Sequence, residues 1–301
     1  MQIKNLLDGL DKYKIEYVCN EPMSRYTTFK IGGNADLLVK VKTVAELKQV
    51  VALAKDTDTP YFILGKGSNL LVSDDGIEGI VISLRDIDDV KIDNDTVTCG
   101  AGASLRTVCI AAQKASLSGL EFAYGIPGTV GGALYMNAGA YGGEMSQVVI
   151  SATAINSKGE EFTLTLDDMN LGYRTSVFKS NDYIITSVTM RLAHGDENEI
   201  KSAMDDFFAR RHDKQPLEYP SAGSTFKRPE GYFAGALIEK NNLKGVSVGG
   251  AQVSEKHAGF VINTGDATCN DVLKLIEKIK DTVKSADDVL LEPEVIFVGR
   301  K

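Results

Sequence analysis

The chain is poor in the patterns that most readily betray a function. Its four cysteines (Cys19, Cys99, Cys109, Cys269) are scattered over 301 residues with no Cys-x-x-Cys pair, and its three histidines (His194, His212, His257) show no metal-ligand spacing. These absences argue against a disulfide framework and a structural zinc site, and reduced thiols fit a cytoplasmic protein. No apolar run approaches the roughly 20 residues that span a bilayer. The N-terminus, Met1-Gln-Ile-Lys-Asn-Leu-Leu-Asp-Gly-Leu10, carries charge where a signal peptide would be apolar, so no membrane insertion is expected. Basic residues are outnumbered, 33 against 41 acidic, for a net charge of −8. That deficit argues against a nucleic-acid partner, which depends on a phosphate-neutralising field, and leaves room for a local pocket holding one diphosphate.

What is present is ordinary in amount: 43% hydrophobic and 25% charged residues, enough for a sizeable core. Two or three domains are expected, at about 100–150 residues each. Strand and helix signals alternate in the first third. Asp36–Val41 reads as a strand, Thr43-Val-Ala-Glu46 as a capping box opening a helix to Lys55, and Tyr61–Leu64 and Gly79–Ser83 as further strands. Thr96–Cys99 predicts a strand and Ser104–Ala115 a helix. Val148–Ile155, Glu161–Leu166 and Tyr183–Arg191 predict more strands, giving an α+β pattern. The polar stretch Ala193–Asn198 marks a boundary, beyond which Ile200–Arg211 and Tyr232–Asn241 read as helices. Thr268-Cys-Asn-Asp271 can cap a last helix, whose Val272, Ile276, Ile279 and Val283 form a core-facing stripe.

Glycine is concentrated. Seven of the 29 glycines lie between Gly125 and Gly143, and a second loop, Gly65-Lys-Gly-Ser-Asn-Leu70, follows the Tyr61–Leu64 strand. Glycine lets backbone amides approach an anion without a β-carbon in the way. Two such loops favour the cradling of one diphosphate over ordinary tight turns. The 65–70 loop lacks the third glycine of the dinucleotide fingerprint, and no Gly-Lys-Ser/Thr occurs anywhere, so Rossmann and P-loop readings are disfavoured. The residues alone reach as far as a dinucleotide or similar anion.

Six motifs in order then carry a resemblance over nearly the whole chain. They are Tyr26-Thr-Thr-Phe-Lys-Ile-Gly-Gly33, Leu64-Gly-Lys-Gly-Ser-Asn-Leu-Leu-Val72, Gly125-Ile-Pro-Gly-Thr-Val-Gly-Gly132, Tyr173-Arg-Thr-Ser-Val-Phe-Lys179, Ser221-Ala-Gly-Ser-Thr-Phe226 and Leu291-Glu-Pro-Glu-Val295. Together they resemble the UDP-N-acetylenolpyruvoylglucosamine reductase (MurB) family, in its shorter, type II form. The resemblance implies an α+β fold with a two-part FAD-binding module of the PCMH/vanillyl-alcohol-oxidase-like kind and a C-terminal α+β substrate domain. The implied parts are residues 1–84, 85–195 and 196–293, with a strand in 294–301 returning to the first. It also implies non-covalent FAD, NADPH as hydride donor, and UDP-N-acetylglucosamine enolpyruvate as substrate.

By the same resemblance FAD is held by Gly65, Lys66, Gly67, Ser68, Asn69 and Leu70, and by Gly125, Ile126, Pro127, Gly128, Thr129, Gly132 and Asn137. Reducing an enolpyruvyl ether builds negative charge on its α-carbon and carboxylate, and requires a proton donor at that carbon. Arg174 matches the position that pairs with the carboxylate, Ser224 the proton donor and Glu294 the assisting acid, a role that needs a raised pKa. An unassisted hydroxyl is a weak acid, so the alkoxide left on Ser224 needs stabilising. Lys227 stands three residues on, to help or to face solvent. Lys214, Arg228 and Tyr141 match or adjoin substrate-binding stretches, although an aromatic beside a glycine loop also serves simple packing. Two other readings stay open: another FAD oxidase on this scaffold, and a non-catalytic sugar-nucleotide-binding module.

Overall fold

Thr43 opens the first of the expected helices through half of a capping box. Its hydroxyl accepts the Glu46 N–H at 3.1 Å, while the Glu46 carboxylate accepts from Lys42 N–H, one residue ahead of the cap. The helix then runs over Val44–Asp56 and buries Leu47, Val50, Val51 and Ala54. This computed structural model describes residues 2–300.

The backbone forms two compact units, each assembled from separated segments. The first comprises the chain up to Val18, Leu37–Lys66 and Gly79–Arg210; the second comprises Cys19–Asp36, Gly67–Glu78 and the chain from Arg211 onward. The first contains an antiparallel five-stranded sheet, ordered Glu161–Thr165, Val149–Ile155, Ile184–Arg191, Thr96–Gly100 and Val90–Asp93. A four-stranded sheet, Glu16–Pro22, Asn34–Lys40, Ile77–Ser83 and Tyr61–Leu64, supplies Leu37, Val39, Ile80 and Ile82 to the same apolar core. In it Tyr61–Leu64 runs parallel to Ile77–Ser83, in register Leu64 to Ser83. Both expected strands are present, the second starting two residues earlier than the sequence indicates.

The second unit packs around the helix Cys269–Asp287. Thr268 and Asp271 exchange the two bonds of a capping box, and Val272, Ile276, Ile279 and Val283 are buried as the stripe predicts. The Asp74 carboxylate adds acceptors for the Cys269 and Asn270 amides at 2.7 and 3.0 Å. A three-stranded antiparallel sheet (Ser247–Val248, Ala251–Val253, Val261–Asn263) lies in this unit. So does a parallel pair in which Ile296–Val298 joins Leu70–Val72.

The expected boundaries of two helices move. Ala193–His194 is a short strand against Leu117–Ser118, and the following helix begins at Glu197 and continues to Lys214. The Tyr232–Asn241 helix shortens to Ala234–Lys240, because Tyr232 N–H closes a turn onto the Pro229 carbonyl and Phe233 sits in extended conformation ahead of the first turn. Among the described residues no helix is long and apolar enough to cross a membrane.

Candidate active site

The parallel pairing of Tyr61–Leu64 with Ile77–Ser83 brings two carboxyl strand ends together, and Leu84 N–H donates to the Leu64 carbonyl at 3.1 Å. Gly65 and Lys66 leave one strand end; Arg85 follows the other. The Arg85 guanidinium donates from Nε to the Gly65 carbonyl at 2.9 Å and from Nη2 to the Lys66 carbonyl at 3.1 Å. That places a permanent positive charge against the loop. A Cβ on Gly65 would stand 2.6 Å from Thr129 Oγ1, so only glycine permits this approach. Thr129 Oγ1 in turn accepts the Gly132 N–H at 3.3 Å and opens the short helix Val130–Tyr135. The start of the first glycine loop and the Gly125–Gly132 segment thus meet inside the first unit. Gly125, Ile126 and Gly128 are partly exposed and Pro127 is exposed, whereas Thr129 is buried. A close-approach glycine beside a fixed cation and a glycine-dense turn fits the diphosphate of FAD.

The rest of the first loop belongs to the second unit. Gly67 has φ +67°, and a Cβ there would fall 2.2 Å from the Tyr26 carbonyl oxygen. Ser68 is half-buried and Leu70 is buried, pairing with Ile296. Asn69 Nδ2 donates to the Glu294 carbonyl at 3.0 Å, and the Asn69 carbonyl accepts from Ile296 N–H at 2.9 Å.

Ser224 and Glu294 are brought to adjoining backbone. Phe226 bridges Pro293, Lys227 N–H donates to the Glu292 carbonyl, and Glu294 N–H donates to the Thr225 carbonyl at 2.8 Å. Thr225 is also held from the other side: its N–H donates to the Gly259 carbonyl, and its hydroxyl accepts Val261 N–H. Ser224 itself is exposed, next to Gly223 at φ +79°. Glu294 is half-buried.

Arg174 lies in the first unit, at the tip of a tight turn. Gly172 and Thr175 exchange both backbone bonds, at 3.1 and 3.2 Å, bracketing Tyr173 and Arg174. Arg174 takes φ +55°, where glycine or asparagine is the usual occupant. Its guanidinium stacks over the Tyr173 ring at 5.2 Å, and its carbonyl accepts the Lys179 ammonium at 2.8 Å.

Asn137 is 1% exposed, so its carboxamide has no surface to offer a ligand. Its Nδ2 donates to the Gly172 carbonyl at 3.1 Å and its Oδ1 accepts Ser146 N–H at 2.9 Å.

Of the four residues expected at the substrate, Tyr141 belongs to the first unit and Lys214, Lys227 and Arg228 to the second. Lys214 is the exposed last residue of its helix. Lys227 forms an ion pair with Glu292 at 2.9 Å. The Arg228 guanidinium lies 3.9 Å from the Phe233 ring centroid and donates to the Tyr232 carbonyl. Tyr141, at φ +54°, stacks on Phe207 with centroids 4.9 Å apart and planes 2° from parallel. Among the described residues no acidic, cysteine or histidine group is arranged to hold a metal.

Residues 35–165 match an FAD binding domain, and residues 215–298 match the UDP-N-acetylenolpyruvoylglucosamine reductase C-terminal domain. The UDP-N-acetylenolpyruvoylglucosamine reductase of Clostridium botulinum (strain 657 / Type Ba4) is 50% identical over 282 residues, 94% of this chain and 92% of that one. The chain belongs to the UDP-N-acetylenolpyruvoylglucosamine reductase family. A second reductase of the family, from Clostridium novyi (strain NT), is 49% identical over 298 residues, 99% of this chain and 96% of its own. The crystal structure of the Thermus caldophilus reductase superposes with a TM-score of 0.80 at 35% identity, covering 94% of this chain and 98% of that one. The short length fits the type II reductases. Xylooligosaccharide oxidase from Myceliophthora thermophila C1 shares the fold alone, at 13% identity and TM-score 0.50 over 93% of this chain and 59% of that one. The α+β architecture is therefore an FAD-binding, PCMH-like module with a reductase C-terminal domain, in a flavin-dependent oxidoreductase.

Sequence reasoning missed Arg85. Its signal is topological: pairing the two predicted strands in parallel brings Arg85, the second residue past Gly79–Ser83, beside Gly65 and Lys66, the first two past Tyr61–Leu64. The Tyr26–Gly33 motif also gains a role in this reductase. Thr28 N–H donates to the Gly67 carbonyl at 3.3 Å and Thr28 Oγ1 to the Ser221 carbonyl at 2.7 Å, which ties the Gly67–Leu70 part of the first glycine loop to the Ser224 segment within the second unit.

Proposed function

We propose that this chain reduces UDP-N-acetylglucosamine enolpyruvate to UDP-N-acetylmuramate, with NADPH as the donor, in the cytoplasmic synthesis of peptidoglycan precursors on which cell shape and division depend. Family membership over nearly the whole chain supports the reading. The observation that carries it within the molecule is the 2.8 Å bond from Glu294 N–H to the Thr225 carbonyl, which holds the backbone of the acid beside the Ser224 segment.

On this reading residues 1–84 and 85–195 are the two FAD-binding subdomains and 196–293 the substrate domain. Gly65–Leu70 and Gly125–Gly132 hold FAD non-covalently at its diphosphate. When bound, FAD supplies hydride chemistry, between NADPH and the enolpyruvyl β-carbon. Arg174 pairs with the substrate carboxylate; a guanidinium fork matches its two oxygens and stabilises the charge that develops when the β-carbon gains a hydride. Ser224 Oγ gives its proton to the α-carbon, which completes the saturated lactyl ether. Glu294 shares a proton with the same region and limits the charge left on the serine oxygen. Lys214, Lys227, Arg228 and Tyr141 contact the nucleotide diphosphate or line its pocket.

An anaerobic absorbance trace tests this. NADPH should bleach the flavin band, and the enolpyruvyl substrate should then restore it without oxygen. Recovery with oxygen alone would instead favour an oxidase on this scaffold, and a protein that takes up no FAD would overturn the assignment.

A further inference from the structure

Three observations converge on the turn that carries Arg174. The turn holds an arginine in the left-handed region, φ +55°, a conformation that is strained for a residue with a Cβ. Something outside the turn has to over-determine it. Asn137 does so from a buried position, itself at φ +42°, through the 3.1 Å bond from Nδ2 to the Gly172 carbonyl. The other end of the same carboxamide is fixed by Ser146 N–H, so the group cannot rotate away without losing two bonds. Ser176 Oγ, just past the turn, donates to the Tyr135 carbonyl at 2.7 Å, and Lys179 closes the far side on the Arg174 carbonyl. The segment 135–137 therefore grips both flanks of the turn. It follows directly on the helix that Thr129 opens beside Gly65.

We infer that Asn137 is a positioning residue for Arg174: its carboxamide latches the Gly172–Thr175 turn to the end of the glycine-dense segment and so fixes where the guanidinium sits. The role of Arg174 toward a carboxylate rests on the function proposed above; the latch does not.

The test uses the FAD-loaded full-length protein and the variant Asn137→Asp. The aspartate keeps an oxygen for Ser146 N–H and removes the donor to Gly172. Exchange of the Thr175 amide, which closes the turn on Gly172, should accelerate about fivefold with the loss of one buried hydrogen bond. Unchanged protection there would overturn the latch whether or not the protein turns over substrate. In stopped flow, flavin reduction by NADPH should stay within about twofold of the parent, while reoxidation by the enolpyruvyl substrate slows at least about tenfold. In an Arg174→Ala background the same Asn137→Asp change should add less than about twofold to the second step, because it acts through Arg174. An equal slowing of both steps, or an undiminished effect without Arg174, would make Asn137 merely structural. Should Asn137→Asp fail to fold, Lys179→Met releases the other side of the turn and is measured in the same cycle: an effect that vanishes without Arg174 supports the latch, and one that persists overturns it. A parent protein that substrate cannot reoxidise would sink the function and leave the exchange result to judge the latch.

Discussion

Asn69, in the loop assigned to the cofactor, donates its carboxamide N–H to the backbone carbonyl of Glu294, the residue assigned to proton chemistry, at 3.0 Å across 225 positions of sequence. Two residues on, Ile296, the first residue of the last strand, returns an N–H to the Asn69 carbonyl. Glu294 is thus held by backbone on both sides, by Asn69 and by Thr225, before its side chain is considered. Bonds of this kind fix the backbone from which the Glu294 side chain extends.

Replacing Asn69 by Ala should therefore cost more than cofactor affinity. We expect a loss of about 1 kcal/mol in stability from the missing bond, with a slower substrate-dependent step in protein saturated with FAD. Chemical denaturation and single-turnover reoxidation measure the two effects separately; normal reoxidation at full FAD occupancy would leave Asn69 a cofactor residue only.

Arg85→Ala should weaken FAD binding about tenfold, roughly 1.4 kcal/mol, by freeing the Gly65 and Lys66 carbonyls and removing the charge beside the loop. Arg85→Lys should recover only part of this, because an ammonium cannot address both carbonyls with a planar fork. Fluorescence titration of apoprotein with FAD decides it, and an affinity unchanged in the Ala variant would contradict the assignment.

Burial pushes the thiols of Cys99, Cys109 and Cys269 up to about 12, whereas Cys19 is exposed. A thiol reagent at pH 8 should modify Cys19 and spare the other three until the protein is unfolded. Mass spectrometry after a short pulse would show one adduct in the native protein and four in denaturant.

Burial also lowers the pKa of His257 below its ordinary 6.5, and its Nδ1 accepts Gly259 N–H at 3.0 Å. The folded protein holds this ring neutral more firmly than the unfolded chain does. Its contribution to stability is present above the unfolded value and is lost as pH falls below it, through the lower folded value. Between pH 7.5 and 5.5 the melting temperature of His257→Gln should decline less steeply than the parent's; parallel declines would show that His257 has no part in the acid sensitivity.

How much of this could be read in advance depended on how local the cause was. The helix Cys269–Asp287 was legible because its cap, Thr268 with Asp271, and its stripe lie within one run of sequence. The strand Leu70–Val72 was hidden inside a loop motif, since its partner Ile296–Val298 lies more than 200 residues away and no periodicity marks three buried residues. The motifs name Ser224 and Glu294, but not the Thr225–Glu294 bond that draws their two segments together. Asn137 shows the opposite limit. A motif gives the residue without its direction, and this side chain turns inward to Gly172. Arg85 belongs to no motif and emerges only from strand pairing.

The parallel pair Leu70–Val72 with Ile296–Val298 also sets a schedule for synthesis. Chain growth at about 5–20 residues per second takes roughly 10–45 seconds to pass from one strand to the other. Throughout that interval Leu71, 1% exposed in the finished fold, and the loop before it wait without their closing partner. The segments of the first unit are all made by Arg210 and can collapse while the second is still incomplete. A nascent chain stalled short of Ile296 should therefore hold one ordered unit and one that chaperones and proteases can still reach.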